Sequence, residues 1–331
     1  MRTKCRLDKV ENESIFFFLE SIAFDWLRGG SFVSEFHQTQ SGLPGRTPVA
    51  VVMISLNEAH NMEAVLQNLE GWAQEVFLVD SCSSDDTVGI ALRHGVHVVQ
   101  RPFRGFGDQW NFAMRELPIT APWTMKLDPD ERLSERLKES IRTRLLAGDQ
   151  DGLALHRRLW FIGAPLPVRQ TLLRIWRTGS CRFTDVAVNE YPEVAGVIKP
   201  VDGDLEHHDS PDLEHWLTKQ NRYTTAEAAS QFRRAASDFR PRLTGGASQR
   251  RAWIKRHFWK VPGRYLFLYL FHLLWLGAWR AGRPGWIWAR LRTEVYRMWE
   301  YKAYEMSRLG RVPPSIPAVS GAPDPRVRQY E

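Results

Sequence analysis

Three carboxylates crowd into a short turn near the middle of the chain, at Asp128, Asp130 and Glu131. Pro129 lies between the first two and fixes the backbone of the turn. Carboxylates this close repel each other unless a cation lies between them, and hard oxygen ligands suit Mg²⁺ or Mn²⁺ holding a phosphate. The alternative is an acidic surface turn that begins a helix, because D-x-D patterns are common. The surrounding elements must decide between these two interpretations.

The segments around this turn predict a parallel sheet. The continuous apolar runs 49–55 and 76–80 are typical of strands buried on both faces. Residues 96–100 predict a third strand, and the alternating apolar residues of 123–127 predict a fourth strand with one buried face. Helical patterns lie between these runs. Because strand and helix alternate at short spacing, we predict an α/β fold with a doubly wound, mainly parallel sheet.

Polar side chains follow three of these strands: Asn57 the first, Asp80 the second, and Asp128 and Asp130 the fourth. In open α/β sheets, ligands bind outside the carboxyl ends of the strands. The sequence has neither a G-x-G-x-x-G after the first strand nor a G-x-x-x-x-G-K loop, so the usual phosphate cradles of dehydrogenases and ATPases are excluded. A nucleotide bound at this edge therefore needs a metal to neutralise its diphosphate.

Four segments, in this order, resemble the inverting glycosyltransferases of family 2, and most closely the bacterial lipopolysaccharide-core β-glucosyltransferase group. They are 55–58 (Ser-Leu-Asn-Glu), 78–87 (with Leu-Val-Asp-Ser and Ser-Asp-Asp-Thr), 107–113 (Gly-Asp-Gln-Trp-Asn-Phe-Ala) and 126–131 (Lys-Leu-Asp-Pro-Asp-Glu). The resemblance extends over residues 48–235. It implies a GT-A fold with helices on both faces of the sheet, and a nucleotide-sugar donor with UDP as the expected nucleotide.

The resemblance also implies roles for individual residues of the donor site. Asn57 and Glu58 would lie near the nucleoside, and Asp80 would accept a hydrogen bond from the uracil or the ribose. Gln109, in the segment 107–113, would belong to the same nucleotide-sugar site. Asp128 would face the ribose or the sugar.

The resemblance assigns the metal to Asp130, which would hold Mg²⁺ or Mn²⁺ on the diphosphate. A second ligand can come from the acidic segment 202–209, which contains the adjacent His207 and His208. If this segment is extended, the two histidines point to opposite faces and only one can reach the site. Similarity to a Leu-x-His pattern favours His207. The alternative is that both are structural, as isolated histidines usually are.

Inversion at a sugar carbon needs a base to take the proton of the acceptor hydroxyl. Glu190 is our candidate for this base, and Asp185 is the second candidate; both lie in the segment 183–190. The related proteins commonly end this segment in His-Glu, and here it ends in Asn-Glu. The alternative interpretation is that Glu190 only forms an ion pair with Arg174 or Arg177.

The C-terminal third of the chain is basic and rich in tryptophan. The chain carries a formal net charge of +7 and 14 Trp, and the region 240–302 contains only two acidic residues, Glu294 and Glu300, among many arginines. Interfacial tryptophan beside arginine favours an anionic membrane surface over nucleic acid, because few polar base-reading residues accompany the cations. No apolar run reaches the ~20 residues of a spanning helix. Packing against the domain or a second subunit is the alternative.

We therefore expect four parts. Residues 1–46 form an extension outside the core fold that can be disordered, 47–238 a GT-A domain, 239–310 a basic, membrane-associating helical region, and 311–331 a flexible tail. The three cysteines have no metal spacing, which suggests a reducing compartment. The expected location is cytoplasmic, at the inner face of the plasma membrane.

The leading hypothesis is a metal-dependent inverting glycosyltransferase. It would act on a lipopolysaccharide-core or other lipid-linked glycan, and no nucleic-acid partner is expected. Transfer to a polyprenyl phosphate is an alternative within the same fold. A non-catalytic, membrane-associated glycan-binding protein is an alternative of a different class. The sequence leaves the donor sugar, the acceptor, the metal preference and the oligomeric state open.

Overall fold

A computed structural model describes residues 46–184, 191–234, 261–313 and 320–330. Its strands, in chain order, are β1 (Thr47–Ser55), β2 (Ala73–Asp80), β3 (His97–Gln100), β4 (Trp123–Lys126), β5 (Glu131–Leu133), β6 (Gly152–Phe161), β7 (Ala164–Arg177), β8 (Cys181–Phe183), β9 (Pro192–Val194), β10 (Ile198–His207) and β11 (Arg328–Gln329). Over these ranges, every strand except the β8–β9 pair joins one sheet, in the order β11-β3-β2-β1-β4-β7-β6-β10-β5.

The sheet has a parallel half and a mixed half. Strands β11, β3, β2, β1 and β4 run parallel to one another. Strand β7 is antiparallel to both of its neighbours, and β5 is antiparallel to β10. Ser55 lies opposite Asp80, and Asp80 lies opposite Gln100, so the carboxyl ends of β1, β2 and β3 are aligned. The predicted α/β fold with a mainly parallel sheet is confirmed.

Helices cover both faces of this sheet, as expected of the GT-A type. The helices are α1 (Ala59–Leu69), α2 (Thr87–Arg93), α3 (Phe106–Glu116), α4 (Glu135–Ala147), α5 (Leu213–Arg234), α6 (Arg264–Leu270) and α7 (Arg283–Leu309). Helices α1, α2 and α4 bury Val65, Ile90 and Ile141 against one face. Helix α3 buries Trp110 and Ala113 against the other.

Strand β4 is buried on both faces, whereas its alternating pattern predicted one buried face. Trp123 and Met125 join the core beneath α1 and α4. Lys126, which follows Met125, points to the α3 side, where its Nζ lies 4.5 Å from the centre of the Trp110 ring. The prediction was wrong because β4 lies in the middle of the sheet, between β1 and β7, and every side chain there meets a covering element. A cation–π contact can accommodate a lysine that alternation marks as exposed.

The β6–β7 hairpin carries the C-terminal helices. Phe161 and Leu166 of the hairpin pack with Trp216 of α5, Leu273 and Trp288 in a separate core. A π-helical turn (Phe271–Trp275) and a 3₁₀ turn (Ala278–Ala281) connect α6 to α7. No helix in the ranges given above is both long and apolar enough to cross a bilayer. The predicted boundary between residues 238 and 239 falls outside the described residues.

The end of the chain returns to the parallel half of the sheet. Strand β11 pairs with β3, Val327 packs on the core beneath α1 and α2, and Tyr330 packs on the ring of Phe112 at 4.8 Å between ring centres. This docking differs from the flexible tail that the composition predicted. Within this proline-rich sequence, Val327 and Tyr330 are the apolar side chains that pack on the domain, and they do so at the edge of the sheet.

Candidate active site

The acidic turn lies where the parallel and mixed halves of the sheet meet. The Leu127 amide donates to the Val52 carbonyl at 3.1 Å, which extends the register of β4 along β1 to the start of the turn. The Glu131 amide then donates to the Asp128 carbonyl at 2.9 Å and closes the turn. Strand β5 follows at once and pairs with β10, so that Glu131 lies opposite His207. The turn therefore brings its carboxylates against groups from β7 and β10.

Arg174 of β7 binds two carboxylates of this turn at once. Its Nη2 lies 2.9 Å from Asp128 Oδ2 and 2.5 Å from Glu131 Oε1. Glu131 is fully buried, and its second oxygen accepts the Asp128 backbone N–H at 3.0 Å. Arg157 of β6 adds a second cation, 3.7 Å from Glu131. The buried turn is thus held by charge pairing from the neighbouring strands.

The two carboxyls that Arg174 binds respond differently to the same surroundings. Burial raises the pKa of Asp128, but Arg174 and Lys126 outweigh it and hold that pKa below its ordinary value. Burial dominates for Glu131 and raises its pKa above the ordinary value, although Arg174 opposes the rise. Asp128 is therefore the more readily ionised of the two carboxyls, and about a third of its side chain is exposed.

Asp130 belongs to a separate group with His207 and Asp209. Its Oδ2 lies 3.2 Å from His207 Nε2, and that nitrogen lies 3.8 Å from Asp209 Oδ1. One ligand atom from each of the three lies within 4.8 Å of the others. The Asp130 Oδ1 is buried and has no hydrogen-bond partner among the described residues. Two carboxylates and an imidazole with an unsatisfied oxygen fit a divalent cation such as Mg²⁺ or Mn²⁺.

Lys219 of α5 faces the same group. Its Nζ lies 2.9 Å from Asp209 Oδ1 and 3.4 Å from Asp130 Oδ2. Burial alone would raise the pKa of Asp130, but His207, followed by Lys219, outweighs burial and depresses that pKa far below its ordinary value. The Asp130 carboxylate is therefore held ionised, which is the form a metal ligand needs.

His207 and His208 point to opposite sides, as an extended segment requires. His207 faces Asp130, while the ring of His208 stacks on Trp160 at 4.8 Å between ring centres. Glu58 follows the end of β1, and its carboxylate accepts a hydrogen bond from the Asn61 side-chain amide at 2.9 Å. Burial raises the pKa of Glu58 to about 7, with Asp130 adding to the effect.

The predicted nucleoside side of the site is built around Asp80. This carboxylate is fully buried and accepts hydrogen bonds from Ser55 Oγ at 2.7 Å, the Ser83 amide at 2.8 Å and Gln100 Nε2 at 2.7 Å. Its protein partners thus hold the loop that follows β2. Gln109 of α3 is also buried and reaches Ser81 Oγ at 3.3 Å.

Asn57 joins this loop to the end of β1. Its side-chain oxygen accepts a hydrogen bond from the Ser84 backbone N–H at 2.7 Å, and its own backbone N–H donates to Ser83 Oγ at 2.8 Å. The structure therefore brings Asn57 and Asp80 to the carboxyl ends of adjacent strands, on one side of the acidic turn, and Gln109 of α3 reaches the loop after the second of them. Their assignment to the donor stays a prediction.

The two candidate bases, Asp185 and Glu190, lie outside the described residues. The residues that flank them are hydrogen-bonded to each other: the Thr184 amide donates to the Tyr191 carbonyl at 3.1 Å. The Asn111 side chain of α3 holds the backbone of Phe183 through two hydrogen bonds, at 2.9 and 3.0 Å. The segment with both candidates therefore starts and ends at one anchored point. Its catalytic role stays a prediction.

Sequence reasoning missed Asp209 and Lys219. The signal for Asp209 was available, because residues 207 and 209 of an extended segment share one face. Lys219 lies on α5, and nothing in its local sequence connects it with Asp130. Only the position of α5 over the end of β10 does so.

Replacing Arg174 by methionine should destabilise the protein by about 3–5 kcal/mol, because the fully buried Glu131 and the partly buried Asp128 lose their shared cation. Arg169→Met is the matched control on the same strand. The Arg169 guanidinium is half exposed and binds Asp204 at the surface, so its loss should cost no more than ~1 kcal/mol. Urea unfolding followed by tryptophan fluorescence measures both. Equal losses in the two variants would contradict the central role of the buried cluster.

The sequence matches a known protein family and named relatives. Residues 50–189 match Glycosyl transferase family 2. The chain is 28% identical over 255 residues to the lipopolysaccharide core biosynthesis glycosyltransferase LpsC of Rhizobium meliloti (strain 1021), covering 73% of this chain and 86% of the relative. It is 26% identical over 197 residues to an uncharacterized glycosyltransferase of Rickettsia felis, covering 54% of this chain and 69% of that protein.

Among solved structures, one similar chain is the mannosyltransferase PcManGT from Pyrobaculum calidifontis in complex with GDP-Man and Mn²⁺. It is 17% identical, with a TM-score of 0.47, and the match covers 81% of this chain and 90% of that one. Another is S. aureus TarS 1–349 in complex with UDP-GlcNAc, at 14% identity and a TM-score of 0.38, covering 80% and 92%. The family match and the named relatives lead to one conclusion: residues 50–189 form a glycosyltransferase family 2 domain, and the chain is a glycosyltransferase.

Proposed function

We propose that this glycosyltransferase is a metal-dependent, inverting enzyme. It moves a sugar from a nucleotide-sugar donor, with UDP as the expected nucleotide, to a hydroxyl of a lipopolysaccharide-core or other lipid-linked glycan. The observation that carries the proposal is the group of Asp130, His207 and Asp209 at the carboxyl edge of the sheet. The similarity to LpsC, named for lipopolysaccharide core biosynthesis, supports the acceptor class.

The metal-binding residues are Asp130, His207 and Asp209. A divalent cation bound there would neutralise charge on the diphosphate as it leaves. Lys219 adds a positive charge on the same side, within 3.4 Å of both carboxylates. Oxygen and imidazole ligands suit either Mg²⁺ or Mn²⁺.

The residues around the donor divide into two sets. Asp80, with its buried partners, shapes the loop that meets the nucleoside, and Asn57 and Gln109 line the same side. Arg174 fixes the orientation of Asp128, whose partly exposed carboxylate is available to hydroxyls of the ribose or the sugar. Glu58, next to Asn57 in the chain, belongs to the nucleoside side.

The acceptor hydroxyl needs a base on the side opposite the leaving diphosphate. We propose Glu190 for this role, with Asp185 as the second candidate. Support comes from the family resemblance and from the anchored ends of their segment. The Arg174 guanidinium already forms ion pairs with Asp128 and Glu131. Its charge is therefore balanced without Glu190, the ion-pair partner considered as an alternative.

An anionic membrane surface fits the C-terminal helices. Leu266, Leu270 and Leu274 recur at helical spacing along α6 and the π-turn, and they are exposed, as is Trp275. The exposed Arg280 and other arginines flank this apolar ridge. An apolar face beside cations is the pattern of a helix that lies in the interface of an anionic bilayer. This position would bring the site close to a lipid-linked acceptor.

The metal role is tested by Asp130→Asn and Asp209→Asn. Each should weaken Mn²⁺ binding by at least about tenfold, the lower end of the loss seen even for residues that only support a ligand. Isothermal titration measures the affinity, and nucleotide release from UDP-sugars with MnCl₂ or EDTA measures turnover. Asp202→Asn is the control from β10, the strand that leads to Asp209, because Asp202 is exposed and pairs with an exposed Arg136. Turnover that resists EDTA and both substitutions would refute the metal role.

Glu190→Gln distinguishes the two acceptor chemistries. With a hydroxyl acceptor, turnover should fall by roughly 10²–10⁴-fold, the contribution of a general base. With a polyprenyl-phosphate acceptor, turnover should stay near normal, because a phosphate needs little help from a base. Glu193→Gln is the control, since Glu193 is exposed on β9. Transfer to each acceptor class, measured with labelled donor, gives the result.

Membrane association is tested by sedimentation with vesicles. The double variant Leu274→Ser/Trp275→Ser should bind vesicles containing phosphatidylglycerol at least about tenfold more weakly, because burying one such side chain contributes ~1.5–3 kcal/mol. Leu146→Ser, which changes an exposed leucine of α4, should bind normally. If the double variant binds as tightly as Leu146→Ser, the apolar ridge is not the contact. If the wild type binds neutral vesicles as tightly as vesicles containing phosphatidylglycerol, the arginines have no role.

A further inference from the structure

The C-terminal segment 320–330 lies against the loop that follows β2. The Gly321 amide donates to the Cys82 carbonyl at 2.6 Å. Strand β11 then runs beside β3, and the Tyr330 amide donates to the Gln100 carbonyl at 2.8 Å. The last described segment of the chain thus meets the loop after β2 at the edge of the sheet that holds Asn57 and Asp80.

Gln100 connects this segment directly to Asp80. Its side chain is fully buried, and its Nε2 donates to Asp80 Oδ2 at 2.7 Å. Its Oε1 accepts the Asp324 amide at 2.6 Å and Gln329 Nε2 at 3.2 Å. One amide side chain is therefore shared between the C-terminal segment and the carboxylate that organises the loop. Losing the segment would leave a buried acceptor of Gln100 without these donors.

The loop itself is conformationally strained. Cys82 has φ 61°, in the left-handed region that most non-glycine residues avoid. Asn57, whose side chain binds the loop, has φ 59°, a conformation that asparagine adopts more readily. Such a conformation costs on the order of 1–3 kcal/mol and persists only where the surroundings hold it. The hydrogen bond from Gly321 is made to the carbonyl of Cys82 itself. The segment therefore supports the loop at its strained residue.

Gly321 can approach the loop this closely because it has no side chain. A Cβ at this position would lie 2.9 Å from the Ser84 Cα and 3.0 Å from the Ser83 carbonyl oxygen. Backbone atoms cannot yield as a flexible side chain does. Any larger residue at 321 must push either the segment or the loop away.

We propose that segment 320–330 is a positioning element of the donor site. It holds the loop 81–84 and, through Gln100, the Asp80 carboxylate in the arrangement that receives the nucleoside. The inference rests on the proposed function, because it assumes that a nucleotide binds beside Asn57 and Asp80. It assigns the end of the chain a role in donor affinity, with no residue of the segment taking part in the chemistry.

The test is Gly321→Val in the full chain, with Ala322→Val as its matched control. Ala322 is the exposed neighbour, and the control adds the same kind of bulk without meeting the loop. With UDP and Mn²⁺ as the probe, Gly321→Val should bind roughly tenfold more weakly, the loss expected for one or two hydrogen bonds. The donor KM should rise by a similar factor, while kcat changes little. The control should match the wild type in both.

The outcomes separate this inference from the function on which it rests. If the wild type binds neither UDP nor GDP with Mn²⁺, the proposed function fails. If the wild type binds UDP and Gly321→Val binds within about twofold of it, the positioning role is overturned and the function stands. A truncation after residue 319 that tightens binding would also overturn it, because the segment would then oppose the donor. Near-ultraviolet circular dichroism shows that the point variants are folded.

Discussion

The burial of acidic side chains at the turn after β4 is the constraint on which the rest of the site depends. A carboxylate removed from water is stable only if a cation or several donors replace the solvent. Arg174 supplies this for Asp128 and Glu131, and it comes from a strand that enters the sheet antiparallel. The mixed half of the sheet therefore supplies the cation that balances the carboxylates at the end of the parallel half, and it also extends the hydrogen-bonded sheet.

The same division applies to the group of Asp130, His207 and Asp209 that we propose for the metal. Asp130 comes from the turn that ends the parallel half, while His207 and Asp209 come from the end of β10. Lys219 comes from α5, which packs on the β6–β7 hairpin through Trp216. Neither half contains the group alone, so a competent site requires that both halves fold and join. This arrangement links the chemistry of the enzyme to its global stability.

The nucleoside side follows a different principle. Here Asn57 and Cys82, both at positive φ, are held by a network of hydrogen bonds from neutral donors around one buried carboxylate, Asp80. The end of the chain closes this network through Gln100 and the sheet edge. Charge pairing thus organises the side of the cleft proposed for the diphosphate, and conformational support organises the side proposed for the nucleoside.

By itself the sequence determined the first four strands of the parallel half, the candidates Asn57, Asp80, Asp128 and Asp130 at its edge, and the alternation by which only one of His207 and His208 can reach the site. These follow from local periodicity and strand ends, which short segments encode. Only the tertiary structure decided the partners: Arg174 with Asp128 and Glu131, Asp209 and Lys219 with Asp130, and the last residues with Gln100. The physical reason is that charge pairing and sheet-edge pairing join residues from distant strands and helices, and composition carries no record of which elements become neighbours.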